Sequence, residues 1–156
     1  MASLDLTLPV TYYADGETHT STFADLLDGP TVVSVYMSNN TGSCDRQMIA
    51  LADAAWDIEG AGVAVVGLSK NSPTSHARYA HKHSIGFPLI SDVDHAFSKA
   101  VGGMVMKKMR GKEYEGPARA VYIVGADGTV HASEAVDTKA HGKQVLRMVR
   151  ELTEEA

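Results

Sequence analysis

Thr31-Val32-Val33-Ser34-Val35-Tyr36-Met37-Ser38-Asn39-Asn40-Thr41-Gly42-Ser43-Cys44 carries the chain from an apolar run through a short polar turn toward a segment of helical spacing. Its β-branched residues, bounded by Gly29-Pro30, predict a central buried strand over Thr31–Met37. Beyond the turn, Met48, Leu51, Ala52, Ala55 and Ile58 recur at helical spacing until Gly60 and Gly62 end the helix. Cys44, the sole cysteine, therefore falls at a helix N-terminus. Unpaired backbone N–H groups and the positive end of the helix dipole favour a thiolate there, which makes Cys44 a candidate nucleophile. A buried, inert cysteine is the alternative reading of the same position.

Outward from this stretch, apolar runs of strand length alternate with helical patterns, the punctuation of an α/β protein. On the N-terminal side, Leu4–Leu8 alternates as a strand, and Thr11–Tyr13 and Thr18–Thr20 flank Ala14-Asp15-Gly16-Glu17 as a hairpin. Thr22 is placed to cap a short helix that turns Phe23, Leu26 and Leu27 inward. On the C-terminal side, Val63–Leu68 is a second buried strand, and Ser72-Pro73 opens a helix running to about His83. Phe87–Ile90 predicts a strand and Asp94–Val101 a helix. Arg119–Val124 and Thr129–Ser133 bracket the hairpin turn Gly125-Ala126-Asp127-Gly128, and Gln144–Leu152 closes the chain as an amphipathic helix. Crossovers demand parallel pairing in the first half, whereas the last hairpin demands an antiparallel pair. A mixed central sheet flanked by helices on both faces, with an N-terminal β-hairpin, accommodates both and is compatible with a thioredoxin-like fold.

A length of 156 residues fits one domain spanning 1–156, and 44% hydrophobic residues suffice for its core. One cysteine permits no internal disulfide, and the N-terminus lacks a basic segment followed by an apolar stretch, so a cytoplasmic protein without a membrane span is expected. The net charge of −5 is unevenly spread, since residues 1–78 hold three basic and nine acidic side chains. The one basic run, Lys107, Lys108, Arg110 and Lys112, lacks interleaved aromatics, so no nucleic-acid partner is expected. It reads as a solvated loop, or else as an electropositive surround that steers anionic thiols or peroxides.

Reduction of a peroxide by a thiolate needs fixed donors aimed at both oxygens, because charge develops on the leaving oxygen as the sulfur attacks the other. Thr41, three residues before Cys44, can turn its hydroxyl toward the sulfur, and the N–H groups of Ser43 and Cys44 are further donors. Arg119 stands at the head of the apolar strand Ala120–Val124, where a charge is unexpected unless it sits at a sheet end and points into a site. A guanidinium there is always charged, lowers a thiol pKa and donates in a fork. The plainer readings are a turn residue for Thr41 and a surface charge for Arg119.

The segment Tyr36–Cys44 resembles the peroxidatic loop of peroxiredoxins, in which Thr precedes the reactive Cys by three residues. The segments Gly67–His76, Phe87–Asp92, Gly111–Gly116 and Ala118–Val124 are similar to the peroxiredoxin Q group, also called bacterioferritin comigratory proteins, and the resemblance runs from about Leu4 to Leu152. It implies a thioredoxin fold and a thiol peroxidase acting on hydrogen peroxide or organic hydroperoxides. Cys44 would be the peroxidatic cysteine, with Thr41 and Arg119 as its activating pair. No cofactor and no metal is implied.

Three positions depart from the group. Met37 stands where the family has Pro and can still cover the sulfur, although it is flexible and oxidisable. Gly42-Ser43 replaces Pro-Gly, a looser entry to the helix. Ile49 occupies the place of the resolving cysteine that many relatives carry, so an external thiol or a redoxin must resolve the sulfenic acid. Met37 and Gly42 also motivate the competing reading, a redox sensor or binding module of the same fold. A monomer is expected, with a homodimer as the alternative. His76, His81 and His83 fall within one helix but read as a solvated face rather than a zinc site. His131 and His141 have no assignable partner in the sequence, and Met104, Met106 and Met109 read as loop or core filling, or as an apolar collar near Cys44.

Overall fold

The computed structural model describes residues 3–154. The chain opens with an antiparallel pair, β1 (Pro9–Ala14) and β2 (Glu17–Thr22), joined through Asp15 and Gly16. Both turn residues have positive φ, 51° and 83°, as a two-residue hairpin that follows the strand twist requires. The helix α1 (Phe23–Leu26) starts at Thr22, whose hydroxyl accepts from the Asp25 N–H at 3.4 Å. Next come β3 (Thr31–Val35), α2 (Gly42–Gly60), β4 (Ala64–Ser69), α3 (Pro73–His83), β5 (Leu89–Ser91) and α4 (Ala96–Ala100). A second hairpin, β6 (Met104–Met109) with β7 (Lys112–Pro117), precedes β8 (Ala120–Val124), β9 (Val130–Ala135) and α5 (His141–Glu154).

Seven strands form one sheet in the order β2-β1-β5-β4-β3-β8-β9. Its centre, β5-β4-β3, is parallel, and β1, β8 and β9 join antiparallel. The period of two along a strand splits the core between two faces. Val32, Val65, Val121 and Ile123 face Met48, Leu51 and Ile58 of α2 and Val145, Met148 and Val149 of α5. Val33, Val35, Val66, Leu68 and Tyr122 face Phe23 of α1 and Phe97 of α4. The expected mixed sheet with helices on both faces and an N-terminal hairpin is thus the observed fold.

Two segments differ from the sequence reading. Leu4–Leu8 is not a strand: Ser3 alone makes a bridge, to Thr129, and the Asp5 carboxylate accepts from the N–H and hydroxyl of Thr7 at 2.9 and 2.6 Å. That local turn competes with an extended ladder. The basic run is not a loop either, since Lys107 and Lys108 lie in β6 and Lys112 opens β7. Arg110 and Gly111 form its turn, with φ of 53° and 79°. Consecutive lysines on a largely exposed two-stranded ribbon erase the apolar alternation that marks a strand. Met106 and Met109 are accordingly 65% and 62% exposed and are not core filling.

Candidate active site

The first turn of α2 sits at the C-terminal end of β3, and Cys44 lies in it, fully covered. Between strand and helix, residues 36–41 are clamped from behind. The Tyr36 hydroxyl donates to Asn39 Oδ1 at 2.6 Å, and Asn39 Nδ2 donates to Ser75 Oγ at 3.0 Å and to His76 Nδ1 at 3.2 Å. The Asn39 N–H donates to Asn71 Oδ1 at 3.0 Å. His76 Nε2 faces the Ile90 carbonyl at 3.0 Å, so this nitrogen carries the proton and Nδ1 is a bare acceptor. Burial holds the imidazole neutral, with a pKa pushed down to about 4. His76 is therefore a fully buried part of the scaffold and not part of a solvated face. Among the described residues no His, Cys, Asp or Glu cluster of metal-binding kind occurs. Tyr79 of α3 donates to Asp45 Oδ1 at 2.6 Å and so ties the residue after Cys44 to the neighbouring helix.

Electrostatics at the sulfur run in two directions. Burial, the largest single effect, drives the Cys44 thiol up, because a thiolate is poorly solvated there. The Thr41 hydroxyl, the N–H groups of Ser38 and Met37 and the Arg119 charge act against it, and together they leave the thiol below its ordinary value. Main-chain groups of Ser38 and Met37, which precede the helix, are thus among those that favour the thiolate. A proline at position 37 would have no N–H to offer. Thr41 is exposed, and its hydroxyl proton is directed to the Ser38 carbonyl at 3.0 Å. It can serve the sulfur or a peroxide only by giving up that bond.

Arg119, immediately before β8, donates from Nη1 to Gln47 Oε1 at 3.3 Å. Gln47 is one turn beyond Cys44 on α2 and fully buried, and its Nε2 donates to Ser34 Oγ at 2.8 Å and to the Val35 carbonyl at 3.0 Å. No carboxylate pairs with Arg119 among the described residues. Beside the loop, a cavity of about 310 Å³ is lined by Met37, Ser38, Lys70, Lys107, Met109 and Tyr114. Lys107 Nζ donates to Met37 Sδ at 2.9 Å. Burial first, then the like charges of Arg119 and Lys70, lower the Lys107 pKa, whereas the Cys44 thiolate raises it. One lysine of the basic run therefore borders the site, and Lys108, Arg110 and Lys112 are exposed on the hairpin.

Thr41, Cys44 and Arg119 are brought to one end of the sheet from segments 78 residues apart at the extremes, counting from Thr41 to Arg119. Sequence reasoning missed the supporting set: Asn39, Asn71, His76 and Tyr79 behind the loop, and Gln47 beside the guanidinium. The spacing of Gln47 from Cys44, one helical turn, was the only signal for any of them.

A mixed sheet of this order, with a buried thiol in the first turn of the helix that follows its central strand β3, defines a thioredoxin-fold protein with a thiol site. Residues 3–133 match the AhpC/TSA family, and the chain belongs to it. It is similar to Peroxiredoxin Bcp of Escherichia coli (strain K12), 32% identical over 121 residues that cover 77% of this chain and 78% of that protein. Xanthomonas campestris Peroxiredoxin Q superposes with a TM-score of 0.83 at 26% identity, covering 96% of this chain and 97% of the other. A bacterioferritin comigratory protein of Xanthomonas campestris does so with a TM-score of 0.83 at 25% identity, covering 97% and 98%. With Cys44 its only cysteine, the protein is a thiol peroxidase of the one-cysteine type, using a peroxide as oxidant and a thiol or redoxin as reductant.

Proposed function

We propose that Cys44, Thr41 and Arg119 are the catalytic residues of this peroxidase, in one functional unit spanning 1–156. The observation that carries the reading is the placement of Arg119, unpaired with any carboxylate among the described residues, on Gln47 one helical turn beyond the buried Cys44, where its charge favours the thiolate. The Cys44 thiolate attacks one peroxide oxygen, the O–O bond breaks, and the departing oxygen takes a proton to leave as water or an alcohol. Cys44 is left as the sulfenic acid. Arg119 stabilises the thiolate and the charge on the departing oxygen, and the Thr41 hydroxyl orients the peroxide once it leaves the Ser38 carbonyl. An external thiol then displaces water from the sulfenic acid to give a mixed disulfide, and a second thiol releases Cys44 with formation of the external disulfide.

Because Cys44 is fully covered, peroxide reaches the sulfur only after a local rearrangement around the first turn of α2. Organic hydroperoxides join hydrogen peroxide as substrates in this reading. The Xanthomonas campestris bacterioferritin comigratory protein carries alkyl peroxide reduction activity, and Val35, Leu68 and Tyr114 are among the residues that line the cavity beside Met37.

Peroxide consumption with excess dithiothreitol tests the assignment, comparing the protein with Cys44→Ser and Arg119→Ala. Cys44→Ser is expected to fall to background and Arg119→Ala to lose about a hundredfold, the lower end of the roughly 10²–10³-fold that removing a transition-state donor costs. An Arg119→Ala variant as fast as the parent protein would refute the role given to the guanidinium. Intact mass after stoichiometric peroxide and a small thiol is expected to show the mixed disulfide at Cys44.

A further inference from the structure

We propose that Ser34 and His141 are positioning residues which, acting through Gln47, hold the Arg119 guanidinium in place for the thiolate. The proposal rests on the role given to Arg119 above. Ser34 on β3, Gln47 on α2 and His141 at the start of α5 are all completely buried. They form an unbroken series of contacts: Arg119 Nη1 to Gln47 Oε1 at 3.3 Å, Gln47 Nε2 to Ser34 Oγ at 2.8 Å, Ser34 Oγ to His141 Nε2 at 2.8 Å, and His141 Nδ1 to Gln144 Oε1 at 3.0 Å.

Main-chain groups at the ends fix the direction of every bond. The Val35 carbonyl, 3.0 Å from Gln47 Nε2, can only accept, so the NH2 end of Gln47 must face β3 and its oxygen must face Arg119. At the far end, Gln144 Nε2 donates to the Ala135 carbonyl at 2.7 Å, and Gln144 Oε1 accepts from the Asp137 N–H at 2.9 Å. His141 Nδ1 therefore faces an acceptor and carries the ring proton, which leaves Nε2 bare. Burial keeps the ring from taking a second proton. Ser34 accepts from Gln47, so its own proton goes to the bare Nε2 of His141. Each member has one role, and none can reverse without leaving a buried polar group unpaired.

The consequence reaches the active site through the amide of Gln47. Its oxygen is a neutral acceptor, so it orients the guanidinium without neutralising the charge that the thiolate feels. Without the Ser34 hydroxyl and the imidazole behind it, the amide loses one of two anchors. A turned amide would present N–H groups to a cation, which favours displacement of Arg119 from the sulfur.

The thiol pKa of Cys44, read from ultraviolet thiolate absorbance, and the rate constant with hydrogen peroxide test this for Ser34→Ala and His141→Phe, each with Arg119 intact and with Arg119→Ala. With Arg119 intact, both variants are expected to raise the thiol pKa and slow the reaction by about threefold to tenfold, the worth of one hydrogen bond. In the Arg119→Ala background neither is expected to change either quantity. A drop in melting temperature with pKa and rate unchanged would overturn the proposal, and so would an equal effect in both backgrounds. Ser34→Ala, a small-for-small change, decides the matter alone if His141→Phe does not fold. If Arg119→Ala itself leaves pKa and rate unchanged, the role of Arg119 falls and the relay with it. If Arg119→Ala is impaired while Ser34→Ala is not, only the relay falls.

Discussion

Replacing His76 with glutamine is expected to remove a large part of the acid sensitivity of the folded state. The imidazole is fully buried, donates from Nε2 to the Ile90 carbonyl and offers a bare Nδ1 to Asn39. Protonation would set an N–H against the Asn39 amide N–H2, and burial, the main cause, holds the pKa at about 4 against 6.5 for a free histidine. Between those two values the unfolded chain binds the proton and the folded one does not, so stability is fully present above pH 6.5 and falls as pH drops toward 4. Across the whole window the loss is about 3 kcal/mol, and between pH 7 and pH 5 about 2 kcal/mol. Glutamine can keep a donor toward Ile90 and cannot titrate. Chemical denaturation of both proteins at several pH values provides the measurement, and the quantity of interest is the difference between their pH slopes. That difference cancels the other groups, including Asp92, whose burial-raised pKa works in the opposite direction. Identical slopes for His76→Gln and the parent protein would refute the reasoning, as would an imidazole resonance for His76 titrating near 6.5.

Tyr79→Phe removes the 2.6 Å bond to Asp45 and frees the first turn of α2, so alkylation of Cys44 by iodoacetamide is expected to speed up by about threefold to tenfold with little change in far-ultraviolet circular dichroism. Met37→Pro deletes an N–H that favours the thiolate, so the thiol pKa is expected to rise and the peroxide rate constant to fall by about threefold; a lowered pKa would contradict the donor role of that amide. Gly67→Ala is expected to destabilise by about 1–3 kcal/mol in a denaturant titration. A Cβ at Gly67 meets Leu89 Cδ2 at 2.8 Å and Met48 Sδ at 3.2 Å on the face packed by α2.

Locally encoded features were legible because their causes lie within a few residues. The Asp15-Gly16 turn, the Thr22 cap and the Ser72-Pro73 helix start all depend on neighbours in sequence, and each is where the pattern placed it. The β6–β7 ribbon escaped notice because its strands bury little, so the hydrophobic alternation that marks a half-buried strand is missing from them. His76 and His141 looked solvated or unpartnered for a related reason. The acceptors and donors that satisfy them, the Ile90 carbonyl and the Ser34 hydroxyl, lie on other elements, and Ser34 is 107 residues from His141 in sequence.

The sequence by itself determined that a lone cysteine would follow a buried strand and open a long helix, with Thr41 one turn before it, because strand, turn and helix signals there are contiguous. Only the tertiary structure decided what surrounds that sulfur. The strand order that sets β8 beside β3 brings Arg119 to α2, and the packing of α5 against α2 brings His141 to Ser34. Such contacts close loops of many tens of residues. They arise from the burial of whole sheet faces, a property of the assembled chain that no local window contains.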